Sequence, residues 1–186
     1  MLIVLSVLLA LALENWRENR EHQDLAERAL QTVIDETTEN CAKIQSLLPY
    51  HRSVMAGDED YEGLGRVFIR NDAWSSAQTA GAAHHLKYEV AAAIGLVHAL
   101  QSDYRRLIEA GIQAVYLGAT SQDPYHKEFQ RMLEQGQTDW LPGPHPMMLA
   151  DLIRIQGNLL DAYQSLFALT EEYYGDAINV EGSCIE

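Results

Sequence analysis

Basic residues are scarce in this chain. Thirteen Lys and Arg stand against 27 Asp and Glu, a formal net charge of −14 over 186 residues, and such a balance repels a phosphate backbone unless a local basic face exists. No such face is legible. Lys occurs three times and Arg105-Arg106 is the only adjacent basic pair, so nucleic acid is not expected as a partner. Metal templates are missing as well. No Glu is followed by His three places on, which removes the carboxylate–imidazole pairs of di-iron bundles. His84, His85 and His98 have no second His at the four-residue spacing that puts two imidazoles on one helix face. Asp123-x-x-His126 has ligand spacing, but Asp123 precedes Pro124 and serves better as a helix cap. A nucleophile elbow, a phosphate-binding loop and clustered cysteines are all absent, so hydrolysis, nucleotide binding and structural zinc have no residues to carry them. The sequence therefore assigns no catalytic, cofactor-binding or metal-ligating residue, and the chain reads as a non-enzyme without a cofactor.

A partial calcium pattern is the nearest exception. Asp58-Glu59-Asp60-Tyr61-Glu62-Gly63 places carboxylates at loop positions one, three and five and Gly at the sharp turn. Its second half fails, with Arg66 at position nine and Ile69 where a bidentate carboxylate belongs. An acidic connecting loop is the expectation, and calcium is not.

What is present begins at the first residue. Met1 to Leu13 contain no charge, no Gly and no Pro, and Trp16 follows among Glu14, Arg17, Glu18 and Arg20. This is the order in which a helix leaves a bilayer: hydrocarbon-compatible residues, an amphipathic ring at headgroup depth, then charge. Length is the difficulty. Thirteen helical residues rise about 20 Å, whereas a spanning helix takes about 20 residues for a core of about 30 Å. The reading is a membrane anchor over 1–16 with a truncated start. Its alternatives are a buried core or interface helix and the remnant of a secretory signal, the last weakened by the lack of a basic leader ahead of Ala10-Leu11-Ala12.

Beyond the anchor the spacing is helical. Ala26, Leu30, Val33, Thr37, Cys41, Ile44 and Leu48 recur at steps of three and four, and Pro49 is expected to close that helix. Val90, Ile94, Val97, Tyr104, Ile108 and Val115 mark a second long helix ending near Gly118, with Ala93, Leu96, Leu100 and Leu107 widening its buried face. Leu152, Ile155, Leu159, Ala162, Leu166, Leu169 and Tyr173 form a heptad seam. Two shorter helices are expected: one capped by Asp72 along Ala73 to Ala83, with Ala73, Ala77, Ala80 and Gly81 allowing close packing, and one from Pro124 to about Gln135. The three prolines between Trp140 and Pro146 make a connector. Val67-Phe68-Ile69 is too short to be a convincing strand. The fold class is all-α: a membrane helix over 1–16 continuous with an antiparallel bundle of four to five helices over 17–178, then an acidic tail over 179–186. Cys41 and Cys184 are an even number, compatible either with a bridge or with a buried and a loose thiol.

The string Ile3 to Trp16, followed by a charged helix carrying Glu39-Asn40, resembles the anchor of a broad group of uncharacterised bacterial single-pass proteins. Ala73-Trp74-Ser75-Ser76-Ala77-Gln78-Thr79-Ala80-Gly81-Ala82 is similar to the tryptophan-led, alanine-rich helix in the middle of those proteins. The two segments cover about a third of the chain. The resemblance implies a short cytoplasmic N-terminus, one inner-membrane helix and a periplasmic helical domain, and it implies no activity. Members carry residues ahead of the apolar run, a departure that favours a truncated start here. Two functions follow as expectations: an accessory or scaffolding subunit of a respiratory, photosynthetic or transport complex, with membrane lipid and other membrane subunits as partners; or a tethered periplasmic binding or sensor module, whose ligand groove would be lined by Tyr88, His98 or Tyr104.

Overall fold

The computed structural model describes residues 2–57, 67–120 and 146–180. Among them are four α-helices and no strand: α1 (Leu2–Ala56), α2 (Asp72–Thr79), α3 (Tyr88–Thr120) and α4 (Pro146–Tyr174), with 3-10 turns at Ala82–His85 and Gly175–Ala177. The expected helix after Pro124, the connector from Trp140, the acidic Asp58–Gly63 loop and Asp123-x-x-His126 lie outside the described residues. The chain divides into two compact units. Unit 1 comprises Met1–Glu39, Arg70–His98 and Ala162–Glu186, and unit 2 comprises Asn40–Ile69 and Ala99–Asp161.

Helix α1 does not stop at Pro49. It runs on to Ala56, with Pro49 inside it. A proline there removes one backbone hydrogen bond and crowds the carbonyl four residues back, but Pro49 is exposed, so water can satisfy the carbonyl it strands. The next turn then buries His51 completely. Burial on both sides of the proline outweighs the local penalty. The helix ends at Gly57, whose φ of 80° is open to glycine without strain and whose N–H donates to the Val54 carbonyl at 3.1 Å.

In unit 1 the core draws on Leu30, Val33 and Ile34 of α1, Trp74 and Ala77 of α2, Val90, Ile94 and Val97 of α3, and Tyr163, Leu166 and Phe167 of α4. Each full aliphatic burial contributes about 1.5–3 kcal/mol relative to exposure. Asp72 is not the cap of α2. It is the first helical residue, and the preceding Asn71 makes no side-chain cap. The carboxylate of Glu36 on α1 does this work, accepting from the backbone N–H of Asp72 and of Ala73 at 3.2 Å each. Ala80 and Gly81 do not pack either. Ala80 is exposed, and Gly81, at φ 78°, ends the helix with its N–H donating to the Gln78 carbonyl.

Unit 2 buries Cys41, Ile44 and Leu48 of α1, Ile69, Tyr104 and Ile108 of α3, and Leu149, Leu152 and Leu159 of α4. Val67–Ile69 is irregular, with Phe68 exposed and Ile69 buried. Cys41 is disulfide-bonded and 1% exposed; Cys184 lies outside the described residues.

The expected line of α3 holds, with Val90, Ile94, Val97, Tyr104 and Ile108 all buried, while the face of α4 is displaced. On α4 the expected Leu152, Leu159, Ala162 and Leu166 are buried, and the buried line also takes in Leu149, Gln156, Tyr163, Phe167 and Thr170, while Ile155 and Leu169 are half-buried and Tyr173 is exposed. That line is rotated about 50° from the expected seam, half the angle of one residue. Two polar residues cause the shift. Thr170 can be buried because its hydroxyl donates to the Leu166 carbonyl at 2.8 Å, and Gln156 because its amide meets His51. On α3, Leu96 is 55% exposed. Gln101 occupies the line with Val97 and Tyr104, which leaves Leu96 about a third of a turn away.

Candidate functional site

From Val4 to Glu21 every residue of α1 is exposed. Val4, Leu5, Val7, Leu8, Leu9, Leu11 and Leu13 are each 53–64% exposed, and Ala26 is the first fully buried residue of the helix. Exposure falls on every side of the helix. An amphipathic surface helix would hide one stripe, whereas a helix apolar all round is suited to hydrocarbon or to a shell of other helices. Among the described residues no helix is long and apolar enough to cross a membrane, α1 included. Its apolar part is a dozen residues at one end of a 55-residue rod.

At the end of the apolar stretch the side chains are ordered. Trp16 is 60% exposed, and the Arg20 guanidinium sits 5.5 Å from its ring centroid, one turn on. Arg17 is engaged by carboxylates, with Nη2 at 3.1 Å from Glu14 and Nε at 3.8 Å from Glu21. Arg20 has no ion pair among the described residues. A turn further on, His22 stacks against His85 of the 3-10 turn, centroids 4.2 Å apart at 16°. That contact is where the rod meets the rest of unit 1. Further joints in the unit are polar: Gln31 donates to the Asn179 carbonyl at 3.0 Å and accepts from its N–H at 2.8 Å, and the Lys87 N–H donates to the Tyr174 hydroxyl at 3.1 Å. Beside the start of α3, the Glu89 carboxylate raises the pKa of Tyr173.

A second polar constellation lies buried in unit 2. His51, Tyr104 and Gln156, one from each long helix, are all 1% exposed or less. His51 Nδ1 is 2.9 Å from Gln156 Oε1; in that orientation Gln156 Nε2 and the Tyr104 hydroxyl have no hydrogen-bond partner among the described residues. Burial pushes the Tyr104 pKa up to about 12, opposed by the neighbouring Gln156 side chain. The trio fixes side chains from three helices without offering a reactive group to solvent. Sequence reading missed His51, although it continues the three-and-four spacing of Ile44 and Leu48; taking Pro49 as a stop hid it.

The residues expected to line a ligand groove differ in burial. Tyr88 is 81% exposed, Tyr104 is buried and His98 is half-buried. Two open concavities among the described residues are lined by none of these, one by Asp72, Ser75, Ser76, Thr79 and Ala80, the other by Trp16, Asn19, Arg20, Gln23, Asp24 and Glu27. Among the described residues no three of His, Cys, Asp and Glu group as metal ligands. His84 and His85 are exposed. No protein-family model, curated protein or solved structure matches the chain.

Proposed function

We propose that this protein is a non-catalytic, membrane-attached helical protein that serves as an accessory or scaffolding subunit of a larger membrane complex, with its helical units outside the bilayer. The observation that carries the reading is the bare apolar opening of α1, exposed on all sides and continuous with a packed helix. Water is a poor solvent for such a surface, and an exposed apolar patch of this extent marks a membrane or protein contact. The apolar stretch enters hydrocarbon with Trp16 at headgroup depth, and neighbouring membrane helices complete whatever depth it does not reach alone. The disulfide at Cys41 supports an oxidising, extracytoplasmic location for the units, in keeping with the periplasmic side of a bacterial inner membrane. The open concavities and the dispersal of Tyr88, His98 and Tyr104 favour a brace over a ligand-holding module.

Extraction of the native protein in mild detergent tests the assignment. The expected result is migration well above its 20.9 kDa mass with the same copurifying membrane proteins in independent detergents. Migration as a lone chain in every detergent overturns the subunit role.

A further inference from the structure

The concavity beside Trp16 has a chemical order of its own. Trp16, Asn19, Arg20, Gln23, Asp24 and Glu27 line it, and their spacing of i, i+3, i+4, i+7, i+8 and i+11 puts them on one face of α1. Going away from the apolar stretch, the face presents an aromatic ring, a guanidinium with two amides, then two carboxylates. Arg20 is the uncommitted cation of this region: Glu14 and Glu21 hold Arg17, while Arg20 rests on the Trp16 ring with no ion pair among the described residues. The carboxylates of Asp24 and Glu27 likewise have no cationic partner among the described residues.

We propose that this face binds the headgroup of a phospholipid carrying both a phosphate diester and a primary ammonium, that is, a phosphatidylethanolamine. The inference rests on the membrane reading above and adds the lipid class. Arg20, with the amide N–H groups of Asn19 and Gln23, takes the phosphate, for which a planar guanidinium is well matched. Asp24 and Glu27 take the ammonium. Arg20 and Asp24 are one turn apart, about 6 Å along the axis, a span that the two-carbon ester link between phosphate and amine bridges. The acyl chains then lie along the apolar stretch below Trp16. A phosphatidylglycerol supplies the phosphate without the amine and meets the two carboxylates as repulsion. A phosphatidylcholine offers a quaternary amine with no hydrogen to donate.

Flotation of the full chain with vesicles of phosphatidylcholine alone, or mixed with phosphatidylethanolamine or phosphatidylglycerol, tests this. Ethanolamine-containing vesicles are expected to capture the chain about threefold to tenfold more strongly than either alternative, the size appropriate to one or two exposed charge-assisted contacts. Arg20→Ala, and separately the double variant Asp24→Asn with Glu27→Gln, are expected to abolish that preference while leaving capture by phosphatidylcholine and the helical circular dichroism unchanged. Equal capture by all three vesicles, a preference for phosphatidylglycerol, or a preference that survives both variants overturns the headgroup site and leaves membrane attachment standing. Capture by no vesicle overturns both.

Discussion

Helix α1 contains two stretches of similar length and opposite circumstance. From Val4 to Trp16 its large apolar residues face outward, and from Leu30 to Leu48 the stripe of Leu30, Val33, Cys41, Ile44 and Leu48 faces inward: Leu8 is 59% exposed and Leu30 is 0% exposed. The residue type is the same. What differs is the periodicity, continuous apolar character in the first stretch against a three-and-four stripe in the second, and hence the number of sides that need a partner. A stripe is satisfied by the chain's own α2, α3 and α4. A greasy cylinder is not, and among the described residues that end of α1 stays exposed.

The sharpest way to break the comparison is to charge the first stretch. Leu5→Arg, Leu8→Arg and Leu11→Arg together should abolish capture by vesicles, since each Arg costs about 2.5–3.5 kcal/mol at the centre of a membrane helix. The thermal midpoint of the helical units should not move. Loss of folding in this variant would mean that the stretch packs within the protein. Next in size is a truncation at matched positions. Leu30→Ala should cost about 2–5 kcal/mol of unfolding free energy in urea, and Leu8→Ala less than about 0.5; equal costs would erase the distinction between the stretches.

The third test concerns the far end of the packed stretch, where His51 meets Gln156 and Tyr104. The ordinary tyrosine value is 10.0 and burial raises that of Tyr104 to about 12. An acid whose folded pKa is raised keeps its stabilising contribution below the unfolded value and loses it as pH rises through the folded one. Stability should therefore fall between pH 10 and 12, by on the order of 2 to 3 kcal/mol for this group, and Tyr104→Phe should flatten that part of the profile. A variant with the same alkaline slope would remove Tyr104 from the account. Smallest is Glu36→Ala, which deprives α2 of the acceptor for two backbone N–H groups and should cost about 1–2 kcal/mol by chemical denaturation. Asp72→Ala should cost less than that, because Asp72 caps nothing.

The stripe of α1 was readable in full: Ala26, Leu30, Val33, Thr37, Cys41, Ile44 and Leu48 are all buried. It was readable because apolar spacing and burial coincide there. On α4 they part company, since Gln156 and Thr170 occupy core positions through hydrogen bonds that no hydrophobic pattern records. Pro49 misled for a related reason: its local penalty is visible in one dimension, and the burial of His51 beyond it is not. At the candidate site, the apolar stretch and the Trp16 boundary were legible. The distinction between an engaged Arg17 and an uncommitted Arg20 was not, because both lie among carboxylates in the sequence and only helix geometry selects which pairs meet.

The sequence by itself determined the all-α class, the apolar character of the opening of α1, and most of the core of the helices that follow. These depend on composition and period, which are properties of a single element. Tertiary structure alone decided that α1 passes through Pro49, that Glu36 rather than Asp72 caps α2, and that a histidine, a tyrosine and a glutamine are buried in unit 2. Those outcomes depend on which polar group finds a complementary one on another helix, and a buried hydrogen bond is decided only where the two groups meet.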